Sequence, residues 1–98
     1  MIMDLDWRHL PPLSALRAFE ATARLSGFSA AARALNVTPA AVAQQVRSLE
    51  SDMGVKLVRR EGRGIVLTDA GHHLAAPLRE DFAMVANGIE DVRQREAT

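Results

Sequence analysis

Ninety-eight residues, 48% apolar and 24% charged, describe one small folded domain, or one domain plus an extension, too short for a large enzyme and too apolar for a disordered tail. Without a single cysteine there is no disulfide framework and no cysteine-based zinc site, so apolar packing must hold the fold. The net charge of zero hides an asymmetry: residues 1–67 carry nine basic and six acidic side chains (+3), residues 68–98 three and six (−3), and local charge rather than the total selects partners.

Residues 1–10 read as a lead-in. Asp4 and Asp6 stand where a signal peptide would be basic, and no later run is apolar for about 18 residues, so neither export nor a membrane span is expected. Pro11-Pro12 presets the backbone for a first helix. In it Leu13, Leu16, Phe19 and Ala23 recur at steps of three and four, ending near Ser26-Gly27. Ser29 is expected to cap a short second helix from Ala30 to Leu35, whose alanines allow close helix approach, and Asn36 tolerates the left-handed turn that stops it.

Thr38-Pro39, a hydroxyl cap followed by proline at the first helical position, opens a third helix. Its apolar stripe is Val42, Val46, Leu49 and Met53, while Ala40, Ala43, Gln44 and Arg47 share a face without large apolar groups; Gly54 closes it. Lys56–Arg60 and Ile65–Leu67 predict two short strands around Glu61-Gly62-Arg63-Gly64, a turn whose glycines supply positive φ. Thr68-Asp69 begins a last helix reaching about Arg95, roughly 40 Å long at the α-helical rise and too long for this domain to cover. Along it Ala75, Leu78, Phe82, Val85, Ile89 and Val92 form a seam suited to a partner helix, weakened by Gly88 and by Pro77, where a kink is expected.

Three helices, the second and third joined by a tight turn, and then a hairpin are the parts of a mainly α winged helix-turn-helix over residues 11–67, with a linker and dimerisation helix over 68–98. The stretch from Phe28 to Glu50 (FSAAARALNVTPAAVAQQVRSLE) resembles the DNA-binding segment of LysR-type bacterial transcriptional regulators, as do Gly54–Arg60 (GVKLVRR) and Leu67–Gly71 (LTDAG). The opening Pro11–Ala21 (PPLSALRAFEA) resembles the branch containing regulators of glycine cleavage and of β-lactamase. The resemblance runs from about residue 10 to about residue 95. It implies a DNA-binding head, a linker helix pairing antiparallel with that of a second subunit, and a larger C-terminal domain that would bind any small-molecule effector. This chain itself is expected to hold no cofactor. It also implies that Ser29 and Ala30 lie near the DNA backbone. Two departures reduce hydrogen-bonding capacity: Ala43 stands where many members have serine, and Ala30 where a basic or polar residue is common.

From the residues themselves, the third helix is the groove reader. Its N-terminal amides and Thr38 can meet phosphate, Gln44 can pair bidentate with adenine, and Pro39, Ala40 and Ala43 can sit against thymine methyl groups. Gln45 lies about 100° round the helix, away from that face. Arg47 is either a phosphate contact or a partner of Glu50. Arg63, flanked by Gly62 and Gly64, has the position of a wing arginine entering a narrow minor groove. Arg59 and Arg60 alternate to opposite faces of their strand, so one, taken as Arg60, can face DNA while the other pairs with an acid.

The expected partner is double-stranded DNA with A/T-rich inverted half-sites, read by a cytoplasmic, nucleoid-associated homodimer, with tetramers of a full-length protein left open. No catalytic or metal-binding residues are expected. His72 and His73 diverge around a helix, His9 is isolated, and no phosphate loop or nucleophile elbow is present. Trp7, Phe19, Phe28 and Phe82 are read as core or interface residues. Two alternatives stand beside this reading: a protein-interaction module built on the Ala75–Val92 seam, and the similar head of molybdate-responsive regulators. Steep loss of DNA affinity with salt and on Arg63→Ala separates a DNA reader from an interaction module.

Overall fold

The computed structural model describes residues 8–97; most of the lead-in at 1–10, including Trp7, lies outside the described residues. The elements are α1 (Leu13–Leu25), α2 (Phe28–Leu35), α3 (Pro39–Met53), β1 (Val58–Glu61), β2 (Gly64–Leu67) and α4 (Asp69–Ala97). Three helices followed by an antiparallel hairpin and a long helix make the mainly α winged helix-turn-helix that the spacing predicts.

The core lies where α1, α2 and α3 meet, closed at one end by Leu57. Phe19, Leu49, Leu57, Val42 and Val46 are its largest fully buried side chains, and Ala15, Ala18, Ala31 and Ala32 let the helices approach closely. Two residues assigned to apolar stripes from sequence are instead exposed: Leu13 at 60% and Met53 at 44%. Each is a terminal residue of its helix, with no further turn to hold it against a neighbour. On α1 the covered face runs through Ala15, Ala18, Phe19 and Thr22. The Thr22 hydroxyl is satisfied there by donating to the Ala18 carbonyl at 2.8 Å. The mostly buried Glu20 carboxylate accepts from Arg24 one turn on, Nε to Oε2 at 2.8 Å. That hydrogen bond, and then the charge of Glu20, push the Arg24 guanidinium further up from its ordinary value.

Helix ends show where local chemistry decides and where it does not. Thr38 caps α3 by accepting from the Ala41 amide at 3.1 Å, and Asn36 (φ 58°) and Gly54 (φ 70°) adopt the left-handed conformation after α2 and α3. Ser29 does not cap α2. That helix starts at Phe28 with Gly27 at its N-cap and no side-chain cap, leaving Ser29 exposed in its first turn. The preceding residue, Ser26, takes the left-handed position (φ 64°) that ends α1, so the two helices are separated by only two residues.

The hairpin pairs Val58 with Leu67, Arg59 with Val66, Arg60 with Ile65 and Glu61 with Gly64. Only Gly62 takes positive φ (60°), at the first central position of a two-residue turn; Gly64 belongs to β2 and does not. β1 begins two residues later than expected because the Leu57 amide donates to Glu50 Oε2 at 2.8 Å instead of across the hairpin, and the Lys56 carbonyl is taken by a side-chain hydroxyl. The Lys56 carbonyl accepts from the Thr68 hydroxyl at 2.6 Å, and the Leu57 carbonyl accepts from the Thr68 amide at 3.0 Å.

Thr68 also caps α4, its hydroxyl oxygen accepting from the Gly71 amide at 3.1 Å, with Asp69 in the first turn beside the positive helix end. A β-carbon on buried Gly71 would overlap the Leu57 carbonyl oxygen, so this glycine sets how closely α4 meets the base of the hairpin. α4 runs through Pro77, which leaves the exposed His73 carbonyl without its helical donor. The expected seam divides. Ala75 and Leu78 pack against the chain's own core, Phe82 is half-buried, and Val85, Ile89 and Val92 are exposed at 61%, 49% and 58%.

Candidate nucleic-acid interface

Burial of Val42, Val46, Leu49 and Glu50 turns the opposite face of α3 outward. Thr38, Pro39, Ala40, Gln44 and Arg47 are exposed and Ala43 is half-exposed, and residues 39–48 contain no acid. A polyanion approaching this end of the helix meets backbone amides, small apolar groups, an amide side chain and a guanidinium, with no carboxylate to repel it. Arg47 donates from Nη2 to Gln44 Oε1 at 3.4 Å, a long, exposed contact that leaves the Gln44 amide nitrogen available. The alternative pairing of Arg47 with Glu50 is not formed.

Glu50 has a different task. Its carboxylate is 7% exposed and Oε2 accepts from the amides of Leu57 (2.8 Å) and Val58 (3.2 Å), with Lys56 Nζ 3.9 Å from Oε1. The last turns of α3 are thereby tied to the start of the hairpin by charge-assisted hydrogen bonds.

A second group forms beside α2. Ser29, Ala30 and Arg33 from that helix and Arg60 and Arg63 from the hairpin line one open cleft between the two elements. Ser29 and Arg33 are one turn apart and so share a face of α2. Arg59, on the other face of β1, pairs with Glu61 at 3.4 Å, whereas Arg33, Arg60 and Arg63 have no carboxylate partner among the described residues. Three exposed, unneutralised guanidiniums at one cleft concentrate positive potential there.

The structure thus brings Ser29, Ala30, Arg60 and Arg63 together and sets Thr38, Pro39, Ala40, Ala43, Gln44 and Arg47 along α3. Sequence reasoning gave Arg33 no role, weighed Glu50 only as a partner of Arg47, and quoted Gly71 only as part of a motif. Arg33 carried a signal in its four-residue spacing from Ser29, and Gly71 in its place three residues after a threonine cap. Glu50 carried none, because its partners lie seven and eight residues away across a helix end. Among the described residues, no group of three or more His, Cys, Asp or Glu could hold a metal ion, and no helix is long and apolar enough to cross a membrane.

Residues 13–72 match the family described as bacterial regulatory helix-turn-helix protein, lysR family. The AhcY transcriptional activator HvrB of Rhodobacter capsulatus is 53% identical over 90 residues, covering 92% of this chain and 31% of that protein. The glycine cleavage system transcriptional activator of Escherichia coli K12 is 41% identical over 90 residues, covering 92% and 30%. Among solved structures, the CbnR_DBD–DNA complex superposes with a TM-score of 0.71 at 32% identity, over 87% of this chain and 98% of that one. The chain spans about a third of the length of these curated relatives. Matched over more than half its residues and by relatives of this similarity, the chain belongs to the LysR family of bacterial helix-turn-helix regulators.

Proposed function

We propose that this chain is the sequence-reading head of a transcription regulator, binding double-stranded DNA as a homodimer with α3 in the major groove and the hairpin in the flanking minor groove. The observation that carries the proposal is the outward face of residues 39–48 of α3, which holds no acid, with Gln44 and Arg47 exposed beyond the capped N-terminus. The likeness to the CbnR_DBD–DNA complex supports the same reading. In it Gln44 reads adenine, Pro39, Ala40 and Ala43 contact thymine methyl groups, and Thr38, Arg47, Ser29, Ala30 and Arg60 face the sugar–phosphate backbone. Arg63 enters the minor groove, and A/T-rich half-sites follow from these chemistries. The exposed Val85, Ile89 and Val92 join two copies, and inverted half-sites follow from the two-fold symmetry of such a dimer. The role is regulatory rather than enzymatic and requires no cofactor in this chain. A small-molecule effector is assigned to the parts of a longer regulator that these residues do not represent, and the place of action is the cytoplasm, on the nucleoid.

Selection of duplexes from a random pool by the wild-type chain and by Gln44→Ala tests this reading. The wild type is expected to enrich an A/T-rich inverted repeat, and the variant to lose information at one base pair per half-site, about 1–3 kcal/mol of discrimination. A folded wild-type chain that enriches nothing refutes the proposal.

A further inference from the structure

We infer that Arg33 is a DNA-phosphate contact, the third cation of a clamp that Arg60 and Arg63 complete from the hairpin. This inference rests on the DNA-reading proposal and deepens it, because no position in α2 beyond its first turn was assigned to the interface. Arg33 lines the same cleft as Arg60 and Arg63, and the three come from two elements held apart by the fold rather than from one flexible run. None has a carboxylate partner among the described residues, whereas Arg24, Arg59 and Lys56 elsewhere in the head each lie beside an acid. Like charges left unneutralised at one cleft repel one another, and a bound polyanion relieves that repulsion. Ser29 and Arg33 project from the same side of α2 one turn apart, so a phosphate held at Ser29 has the Arg33 guanidinium within reach of its neighbour along the strand. The same arrangement offsets Ala30, which brings neither charge nor hydroxyl to this face. Arg33 supplies from one turn further along the charge that position 30 lacks.

Phosphate contacts are read by salt. Each one neutralised adds about 0.9 to the slope of log affinity against log salt, so a fourfold rise in salt costs about 3.5-fold in affinity per contact. The experiment measures that slope for the wild type, Arg33→Ala, Arg33→Lys and Arg79→Ala on the duplex that the wild-type chain enriches from a random pool. Arg79 is the control, an exposed arginine lining a different cleft, between α1 and α4. Arg33→Ala is expected to lower the slope by about 0.9 while keeping the enriched sequence, Arg33→Lys to retain the wild-type slope, and Arg79→Ala to leave it unchanged. Far-ultraviolet circular dichroism establishes that each variant is folded. A wild-type slope in Arg33→Ala overturns the inference and leaves the DNA reading standing. An equal fall in Arg79→Ala also overturns it, since the charge would then act at a distance rather than by contact. A wild-type chain that enriches no duplex overturns the DNA reading itself, and this inference with it.

Discussion

Replacing Glu50 with alanine removes the acceptor for two amides at once and should loosen the hairpin from α3. Oε2 serves the Leu57 amide at 2.8 Å and the Val58 amide at 3.2 Å, in a region where Leu57 is fully buried and Val58 half-buried. A hydrogen bond to a charged group contributes about 1.5–3 kcal/mol, and a buried donor left without an acceptor loses its hydration unreplaced. The two bonds share one oxygen and are not additive, so about 3 kcal/mol is expected for Glu50→Ala, a large part of the 5–15 kcal/mol typical of a domain. Lys56, four-fifths exposed and 3.9 Å away, adds little. Glu50→Gln keeps a carbonyl acceptor and loses only charge assistance, about 1 kcal/mol. Urea denaturation at one protomer concentration measures both variants, and amide hydrogen exchange at Leu57 and Val58 reports whether the loss is local. A change below about 0.5 kcal/mol in Glu50→Ala, or equal losses in the two variants, would show that the carboxylate is not the latch described here.

Three further outcomes follow from named contacts. Gly71→Ala places a methyl group on the Leu57 carbonyl oxygen and should cost about 2 kcal/mol or more in thermal or urea unfolding, whereas Gly88→Ala, with open space around it and good helix propensity, should be neutral or stabilising. Thr38→Ala leaves the Ala41 amide without its cap and should cost about 1 kcal/mol, with Thr38→Ser close to wild type in the same assay. Ile89→Asp, on the exposed part of α4, should weaken self-association by about 2 kcal/mol per dimer, roughly thirtyfold in dissociation constant, without unfolding the head. Sedimentation equilibrium together with circular dichroism measures this, and an unchanged dissociation constant would exclude that stripe as the dimer seam.

How far the chain could be read before its structure depended on the range over which each feature is decided. Thr38-Pro39, Asn36, Gly54 and Thr68 were legible because a cap is made between residues three or four apart. The inward face of α3 was legible because Val42, Val46 and Leu49 follow the helical period in its interior. Ser29 misled for a competing local reason: Gly27 could begin α2 two residues earlier, next to the left-handed Ser26 that ends α1. Leu13 and Met53 fit the periodicity, yet coverage at a helix end depends on which neighbours reach that far.

The sequence by itself determined the order and kind of the elements, the caps at Asn36, Thr38, Gly54 and Thr68, the basic head and acidic tail, and the residues set along the outer face of α3. These rest on the helical period and on the dihedral preferences of glycine, proline, asparagine and threonine, which act within one turn of the chain. Only the tertiary structure decided that Glu50 turns inward to Leu57 and Val58, and that Gly71 must stay bare against Leu57. It likewise placed Arg33 beside Arg60 and Arg63 and left Ala75 and Leu78 to the chain's own core while Val85, Ile89 and Val92 stay exposed. Each of these joins residues from different elements, and no spacing along one helix or strand specifies the distance between two of them. That distance is set by how the side chains of α1, α2 and α3 fill the space around Phe19.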